Sequence, residues 1–489
     1  MRGTRIVRDS MGEMTVPEEA LWGAGTQRAV ENFTVSPLRI PEAMLKALAM
    51  IKGAAALANG ELGLLPEAAA GAIHGAAGEI LEGRHREQFP VDVFQTGSGT
   101  SWNMNINEVL SRLAARRLSG ENPPGAADKE SSQDNPPASF LHPNDHINRG
   151  QSSNDVIPSA INIAARLGCE DLEGALRVLG ESLAAKAREF AQIPKLGRTH
   201  LQDAVPMTLG NEFSGYASQI QKSLLRLRGV YPRLEELALG GTALGTGVNT
   251  HPDFAPLVIK KINRQTGQNF RQADNLFEAI AARDSNLELM SALNLCAAAL
   301  AKIAGDLRLL ASGPRGALGE ITLPALQPGS SIMPGKVNPV IPEMVLQACA
   351  CVMGKQVTLT IACQTGPLEL NIMMPLIAHE LLFSLELLTK TITRFEEKCI
   401  RGIRADEERC RGFIRQSLAL ATPLALILGY DRAAALASKA FREQKTIEEA
   451  ALEEGLLSRE ALQELLNPET LAGIKGPSAF QKPGGKETE

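Results

Sequence analysis

The chain has 489 residues, 44% of them hydrophobic, enough to bury a sizeable core in one large domain or in two or three smaller ones. A net charge of −5 without any long basic run excludes the footprint of a nucleic-acid binder. Seven cysteines, an odd number scattered through apolar stretches, favour buried free thiols in a reducing cytoplasm over disulfides or a zinc site.

The N-terminal stretch MRGTRIVRDSMGEM lacks the apolar core of a signal peptide. No apolar run reaches the roughly 18–20 residues that span a bilayer, so a soluble, cytoplasmic protein without a membrane partner is expected. Aromatics make up only 4% while Ala and Leu are abundant, which favours close-packed helices over a sheet sandwich. Residues 1–140 read as an N-terminal domain of short helices and Gly- or Pro-rich turns. Its end, GENPPGAADKESSQDNPPAS (120–139), has no apolar period and four prolines, the mark of a flexible insertion.

Residues 141–397 read as a central domain of long helices. Leu172, Leu176, Leu179, Leu183, Ala187 and Phe190 fall on one helix face. So do Leu289, Leu293, Cys296, Leu300, Ile303, Leu307 and Leu310, and again Leu381, Leu385, Leu388, Ile392, Phe395 and Cys399. Steady four-three spacing is the seam of nearly parallel helix packing. The second helix is also apolar off its stripe, so it is expected to be buried on all sides in a bundle shared between subunits. Residues 398–489 read as a small C-terminal helical domain. In it Thr446 and Glu449 form a capping box, and the tail from Lys475 frays.

Chemistry-bearing residues gather in four clusters, each expected to precede a helix. QTGSGTSWNMNINE (95–108) offers Ser98, Gly99 and Thr100. HPNDHINRGQSSND (142–155) and GRTHLQDAVP (197–206) come next, the latter placing His200 beside Thr199. The fourth, GSSIMPGKVNP (329–339), sets paired hydroxyls at Ser330 and Ser331 near a cation at Lys336 and an amide at Asn338. Pro342 marks the start of the next helix, with Glu343 in its first turn, where the helix dipole favours an acid. Helix N-termini brought together make a pocket for anions, and a cation with oriented donors suits a small carboxylate. GGTALGTG (240–247) lacks the lysine and the spacing of a nucleotide loop, and Pro143 breaks any helical metal face between His142 and His146. No metal, nucleotide or other cofactor is implied.

Together the clusters resemble the class II fumarase branch of the fumarase/aspartase superfamily, from about Arg8 to residue 470. GSSIMPGKVNP matches the superfamily signature, and DSMGEMTVPEEALWGAGTQRAVENF, HPNDHIN, QSSND, GRTHLQDA, GGTALGTGVNTHPDF and LELN add to it. The resemblance implies a mainly α fold of three domains, whose long central helices form a twenty-helix core in a homotetramer with active sites shared between subunits. It implies reversible hydration of the dicarboxylate fumarate to (S)-malate without a metal. In that scheme Ser330 is the base, and Lys336 and Asn338, beside Ser331 and Val337, hold the carboxylate that gathers negative charge. His200, supported by Glu343, protonates the leaving hydroxyl. Ser98, Gly99, Thr100, Ser152, Ser153, Asn154 and Thr199 bind substrate.

A second anion site is implied at the turn His142, Pro143, Asn144 and Asp145, although Ser139 stands where the family has an arginine. Trp102 is bulkier than the family's usual residue. The alternative is aspartate ammonia-lyase, which shares the signature loop. NPVIPE (338–343) leans that way, whereas His200, Ser153 and the histidine of NTHPDF lean toward hydration. A non-catalytic structural relative is a further alternative, and it predicts erosion of Ser330, His200 or Lys336; all three are present.

Overall fold

A computed structural model of the chain describes residues 3–120 and 141–474. Apart from Gly120, the expected insertion lies outside these residues, as does the tail from Lys475. The chain opens on an antiparallel hairpin, β1 (Thr4–Asp9) with β2 (Gly12–Pro17), and not on a helix. Next come four helices: α1 (Ala24–Asn32), α2 (Glu42–Glu61), α3 (Glu67–Leu81) and α4 (Thr100–Ser119). Two of these reach 20 residues, so the expectation of short helices fails here. Two glycines inside α2 are packing devices. A Cβ on Gly53 would stand 3.1 Å from that of Ala77, and one on Gly60 3.0 Å from that of Ala70. Glycine lets α2 lie close on α3 at a modest cost in helix propensity.

Long helices dominate the middle of the chain: α5 (Ser153–Glu189), α6 (Leu209–Leu234), α7 (Phe254–Thr266), α8 (Leu276–Ala281), α9 (Asp284–Leu310), α10 (Val340–Gln364) and α11 (Met374–Lys398). A hairpin, β3 (Pro194–Thr199) with β4 (Gln202–Thr208), sits between α5 and α6. Short pairings join β5 (Glu236–Leu237) to β6 (Arg271–Gln272) and β7 (Ile321–Thr322) to β8 (Arg404–Ala405). The chain then runs through α12 (Glu407–Gln416), α13 (Ala421–Leu428), α14 (Tyr430–Glu443), α15 (Ile447–Glu453), α16 (Arg459–Leu465) and α17 (Pro468–Leu471). The capping box of Thr446 and Glu449 opens α15 as expected.

Every residue of the three apolar stripes is buried except Ala187, which is half-buried. The second stripe's helix departs from expectation, because burial extends past the stripe to Met290, Ala297 and Ala304 but not all round the helix. Leu295 and Leu309 on α9 are 51% and 42% exposed in this single chain. On α10, Val357 and Ile361 are likewise exposed. Both helices are long and apolar enough, by length and composition alone, to cross a membrane. The expectation of no such span counted uninterrupted apolar runs, whereas these helices carry occasional polar residues among the apolar ones.

By internal contacts the chain forms two compact units. The first comprises Met1–Glu173, Leu225–Ala297 and Ala350–Thr389. In it α2 packs on α3 and α7, and α3 on α4. The second comprises Gly174–Leu224, Ala298–Cys349 and Lys390–Glu489. Leu196 of β3 joins Ile414, Leu424, Leu436, Ile447 and Leu462 in its core. Fully buried Glu320 accepts from Arg198 Nη1 at 2.9 and 3.0 Å, and Lys195 pairs with Glu212 at 2.8 Å.

A second buried acid ties α4 to α1 in the first unit. The Glu108 carboxylate accepts the N–H groups of Gly23 (2.9 Å), Gly25 (2.9 Å) and Thr26 (3.1 Å), which a helix start leaves without partners. A side chain at Gly23 or Gly25 would press on that carboxylate, since each Cβ would lie 3.0 Å from Oε1. Burial pushes the Glu108 carboxyl up, and the donors around it oppose that shift. Glu108→Gln keeps the shape but turns an amide N–H toward donors. It is expected to lower unfolding free energy by about 1–3 kcal/mol. Denaturant titration checks this, and a change below about 0.5 kcal/mol would dismiss the cap.

Candidate active site

Three of the four clusters lie at helix starts. The first runs into α4, whose Thr100 is the first helical residue. Gly99 precedes it with φ +73°, and Ile157 atoms lie 3.1 Å from where its Cβ would stand, so only glycine fits. The Ser98 and Thr100 hydroxyls share a 2.8 Å hydrogen bond. Gly97 lies so close to the segment after LELN that a Cβ would sit 2.0 Å from the Ile372 carbonyl oxygen. The Met374 N–H donates to Gly97 O at 3.0 Å, closing the contact. Trp102 is buried, with Nε1 donating to Val91 O at 3.4 Å. Its indole is therefore core.

The second cluster enters α5 at Ser153. Asn103 of the first cluster donates through Nδ2 to Ser153 Oγ and to Asn148 Oδ1, both at 3.2 Å. Asn154 Nδ2 reaches Ala243 O at 2.7 Å. The first unit thus brings together Ser98, Gly99, Thr100, Ser152, Ser153 and Asn154 with the 240–247 loop. That loop is a structural support, in keeping with its lack of nucleotide-loop spacing. Upstream, Pro143–Ile147 forms a single wide helical turn. Its preceding residue, His142, accepts the N–H groups of Asn144 and Asp145 at Nδ1, at 3.2 Å each. Asn144 and Asp145 are exposed. The His142 N–H donates to His146 Nδ1 at 2.8 Å, so both imidazoles serve the turn.

The third cluster is a hairpin that leads into α6 at Leu209, so it precedes a helix as expected, but His200 sits at the hairpin turn and not at the helix start. Thr199 pairs with Gln202, leaving His200 and Leu201 as a two-residue turn at φ +57° and +60°. Positive φ at both positions matches the twist of a tight hairpin but normally selects Asn-Gly. Neither residue here is of that kind, so backbone strain is concentrated where His200 is presented to solvent.

The fourth cluster folds back on itself before α10. The Gly329 N–H donates to Lys336 O at 2.8 Å, and Asn338 Nδ2 donates to Gly329 O at 2.7 Å. Inside this closure Ser330 Oγ accepts the N–H groups of Ile332 (3.2 Å) and Met333 (3.0 Å). Ser331, Lys336 and Val337 are exposed. Glu343 lies in the first turn of α10, and its N–H donates to Pro339 O at 3.1 Å. Among the described residues of this chain no hydrogen bond joins Glu343 to His200, nor the hairpin turn to the loop. No group of three or more His, Cys, Asp or Glu side chains that could hold a metal occurs among them either.

Comparison with known proteins gives this constellation its context. Residues 12–354 match the lyase family model, and residues 420–473 match that of the fumarase C C-terminus. The chain is 45% identical over 468 residues to the class II fumarate hydratase of Xylella fastidiosa, which covers 96% of this chain and 95% of that one. With the class II fumarate hydratase of Mycobacterium tuberculosis it shares 48% over 455 residues, 93% of this chain and 92% of the other. The chain belongs to the class II fumarate hydratase family. Its fold matches the crystal structure of the class II fumarase from Schistosoma mansoni with a TM-score of 0.90 at 38% identity, over 97% of this chain and all of that one.

These relatives are hydratases, on the side of His200, Ser153 and His251 and against the hint of NPVIPE. Three supporting residues were not singled out from the sequence: Asp155, Lys52 and Asn148, the second of them outside every motif. Asp155 was visible as the last letter of QSSND, whereas Lys52 carries no local signal at all. The strain at the His200 turn has a direct consequence. Leu201 is largely exposed, so Leu201→Gly removes an unfavourable φ without losing packing. Stability is expected to rise by about 1 kcal/mol, net of glycine's unfolded-state entropy. A thermal midpoint equal to or below that of the parent would show that the turn is unstrained.

Proposed function

We propose that the chain catalyses the reversible hydration of fumarate to (S)-malate through an aci-carboxylate carbanion. The observation that carries this is the Ser330 hydroxyl receiving two main-chain N–H groups. Donors aimed at an oxygen favour its anion, and serine must be an alkoxide to remove a weakly acidic C–H proton. In the dehydration direction Ser330 Oγ takes the C3 proton of malate. The electron pair moves into the adjacent carboxylate, held by Lys336 and by the amide hydrogen of Asn338 not used on Gly329. The C2–O bond then breaks, and His200, backed by Glu343, supplies the proton with which the hydroxyl departs as water. Thr100, Ser152, Ser153, Asn154 and Thr199 hold the two carboxylates. Preorganised donors of this kind are each worth roughly 2.7–4 kcal/mol in the transition state. The proposed steps use no metal or other cofactor.

The same proposal has the protein act as a homotetramer, with Ser330, His200 and the carboxylate-binding residues of one site supplied by different subunits. The apolar exposure of Leu295, Val357 and Ile361 supports assembly along the long helices. It also keeps the three-domain division at 140/141 and 397/398, a second anion site at His142–Asp145, and a reducing cytoplasmic setting, supported by seven cysteines without a disulfide among them.

Three measurements test the reading. Incubated with fumarate alone, the protein is expected to yield malate by NMR; aspartate appearing only with added ammonium would replace hydration with deamination. Ser330→Ala is expected to lower kcat by roughly a thousandfold or more, as loss of a general base does together with its oriented anion. Near-full activity in that variant would remove Ser330 as the base. Light scattering on a size-exclusion column is expected to give four subunits, and a monomer would end the shared-site scheme.

A further inference from the structure

Two ionisable side chains lie fully buried beneath the Ser152–Asn154 turn, and the proposed chemistry uses neither. Asp155 Oδ1 accepts the Ser152 N–H at 2.9 Å, while Oδ2 accepts those of Gly240 (3.1 Å) and Thr242 (3.0 Å). One carboxylate thus joins the turn to a loop more than eighty residues away in sequence. Lys52, buried in the middle of α2, donates from Nζ to Asn148 Oδ1 at 2.8 Å. Asn148 passes the contact on through Asn103, whose amide also holds the Ser153 hydroxyl, and its own Nδ2 donates to Gln151 O at 3.1 Å.

Burial pushes Asp155 up and Lys52 down, to about 7 in each, while their mutual attraction opposes both shifts. Apolar residues of similar volume would fill this space at a lower desolvation cost. What apolar residues cannot do is fix three main-chain N–H groups and a serine hydroxyl in one geometry.

We propose that Asp155 and Lys52 are positioning residues for substrate binding. Asp155 clamps the 152–154 turn to the 240–243 loop, and Lys52, through Asn148 and Asn103, sets the direction of the Ser153 hydroxyl. Neither touches substrate. The inference rests on the assignment of Ser152, Ser153 and Asn154 to carboxylate binding under the proposed function.

The test uses Asp155→Asn and Asn148→Ala in the full-length protein, with steady-state kinetics on fumarate and amide hydrogen exchange. Asn148→Ala, at a half-buried site, removes the acceptor of Lys52. It is expected to raise KM about tenfold while kcat stays within about threefold, the pattern of lost ground-state binding geometry. Asp155→Asn is expected to lower kcat/KM by about a hundredfold. It is also expected to speed exchange of the Ser152, Gly240 and Thr242 amides together, with amides on α3 and α14 unchanged. KM within about twofold of the parent in Asn148→Ala, or unaltered exchange at those three amides in folded Asp155→Asn, would overturn the proposal. If Asp155→Asn does not fold, the Asn148→Ala kinetics decide. A parent protein that fails to hydrate fumarate would refute the functional reading, and the exchange data would then judge the clamp by itself.

Discussion

A helix start leaves its first N–H groups without partners, and in a buried setting each must find an acceptor or cost free energy. Much of this structure depends on how that demand is met. Glu108 accepts three such groups at α1, and Asp155 meets the Ser152 N–H just before α5 together with two from the 240–243 loop. Both acceptors are carboxylates that also reach across the chain: Glu108 caps α1 from α4, and Asp155, which meets Ser152 locally, takes its other two donors from the 240–243 loop. At the signature loop the acceptor is Ser330, a neutral hydroxyl. Two donors directed at a group that carries no charge are an incomplete match, and the match improves when the hydroxyl ionises. The donors here belong to an exposed turn and not to a helix start, and what they leave at Ser330 is a bias toward alkoxide.

The apolar stripes were plain in the sequence because four-three spacing is a property of one helix and needs no knowledge of its neighbours. Leu289 to Leu310 are buried along that line, as are Leu381 to Cys399. The capping box at Thr446 is legible for the same reason, since both partners lie within one turn. Ser330, Lys336 and Asn338 could be singled out because Gly and Pro exclude regular structure around them. Their roles came from family resemblance, and the geometry adds the two donors on Ser330.

Other features were hidden for physical reasons of equal clarity. The packing role of Gly53 and Gly60 shows only once α3 is placed against them, because close approach between helices is invisible to propensity. The turn at His200 and Leu201 has no hairpin signature, since the residues that would relieve its φ values are absent. Glu108 and its α1 partners are separated by more than eighty residues, and Lys52 and Asn148 by ninety-six. No window-based pattern spans such distances. The full burial expected for α9 failed differently, because one chain covers only part of the helix and leaves Leu295 and Leu309 to solvent.

The hidden features share a direction of cost. A hairpin turn without glycine, a buried ammonium and a carboxylate stripped of water each oppose folding, and each lies at or under a cluster that carries chemistry. The helices supply the counterweight: their buried leucines and isoleucines stabilise in proportion to apolar area and ask nothing of orientation. A turn that binds carboxylates asks for orientation above all, and orientation comes from directional bonds whose partners must first be desolvated. The long helices therefore do more than enclose a core. Their undirected stability offsets what the burial of Asp155 and Lys52 and the strain of the His200 turn cost.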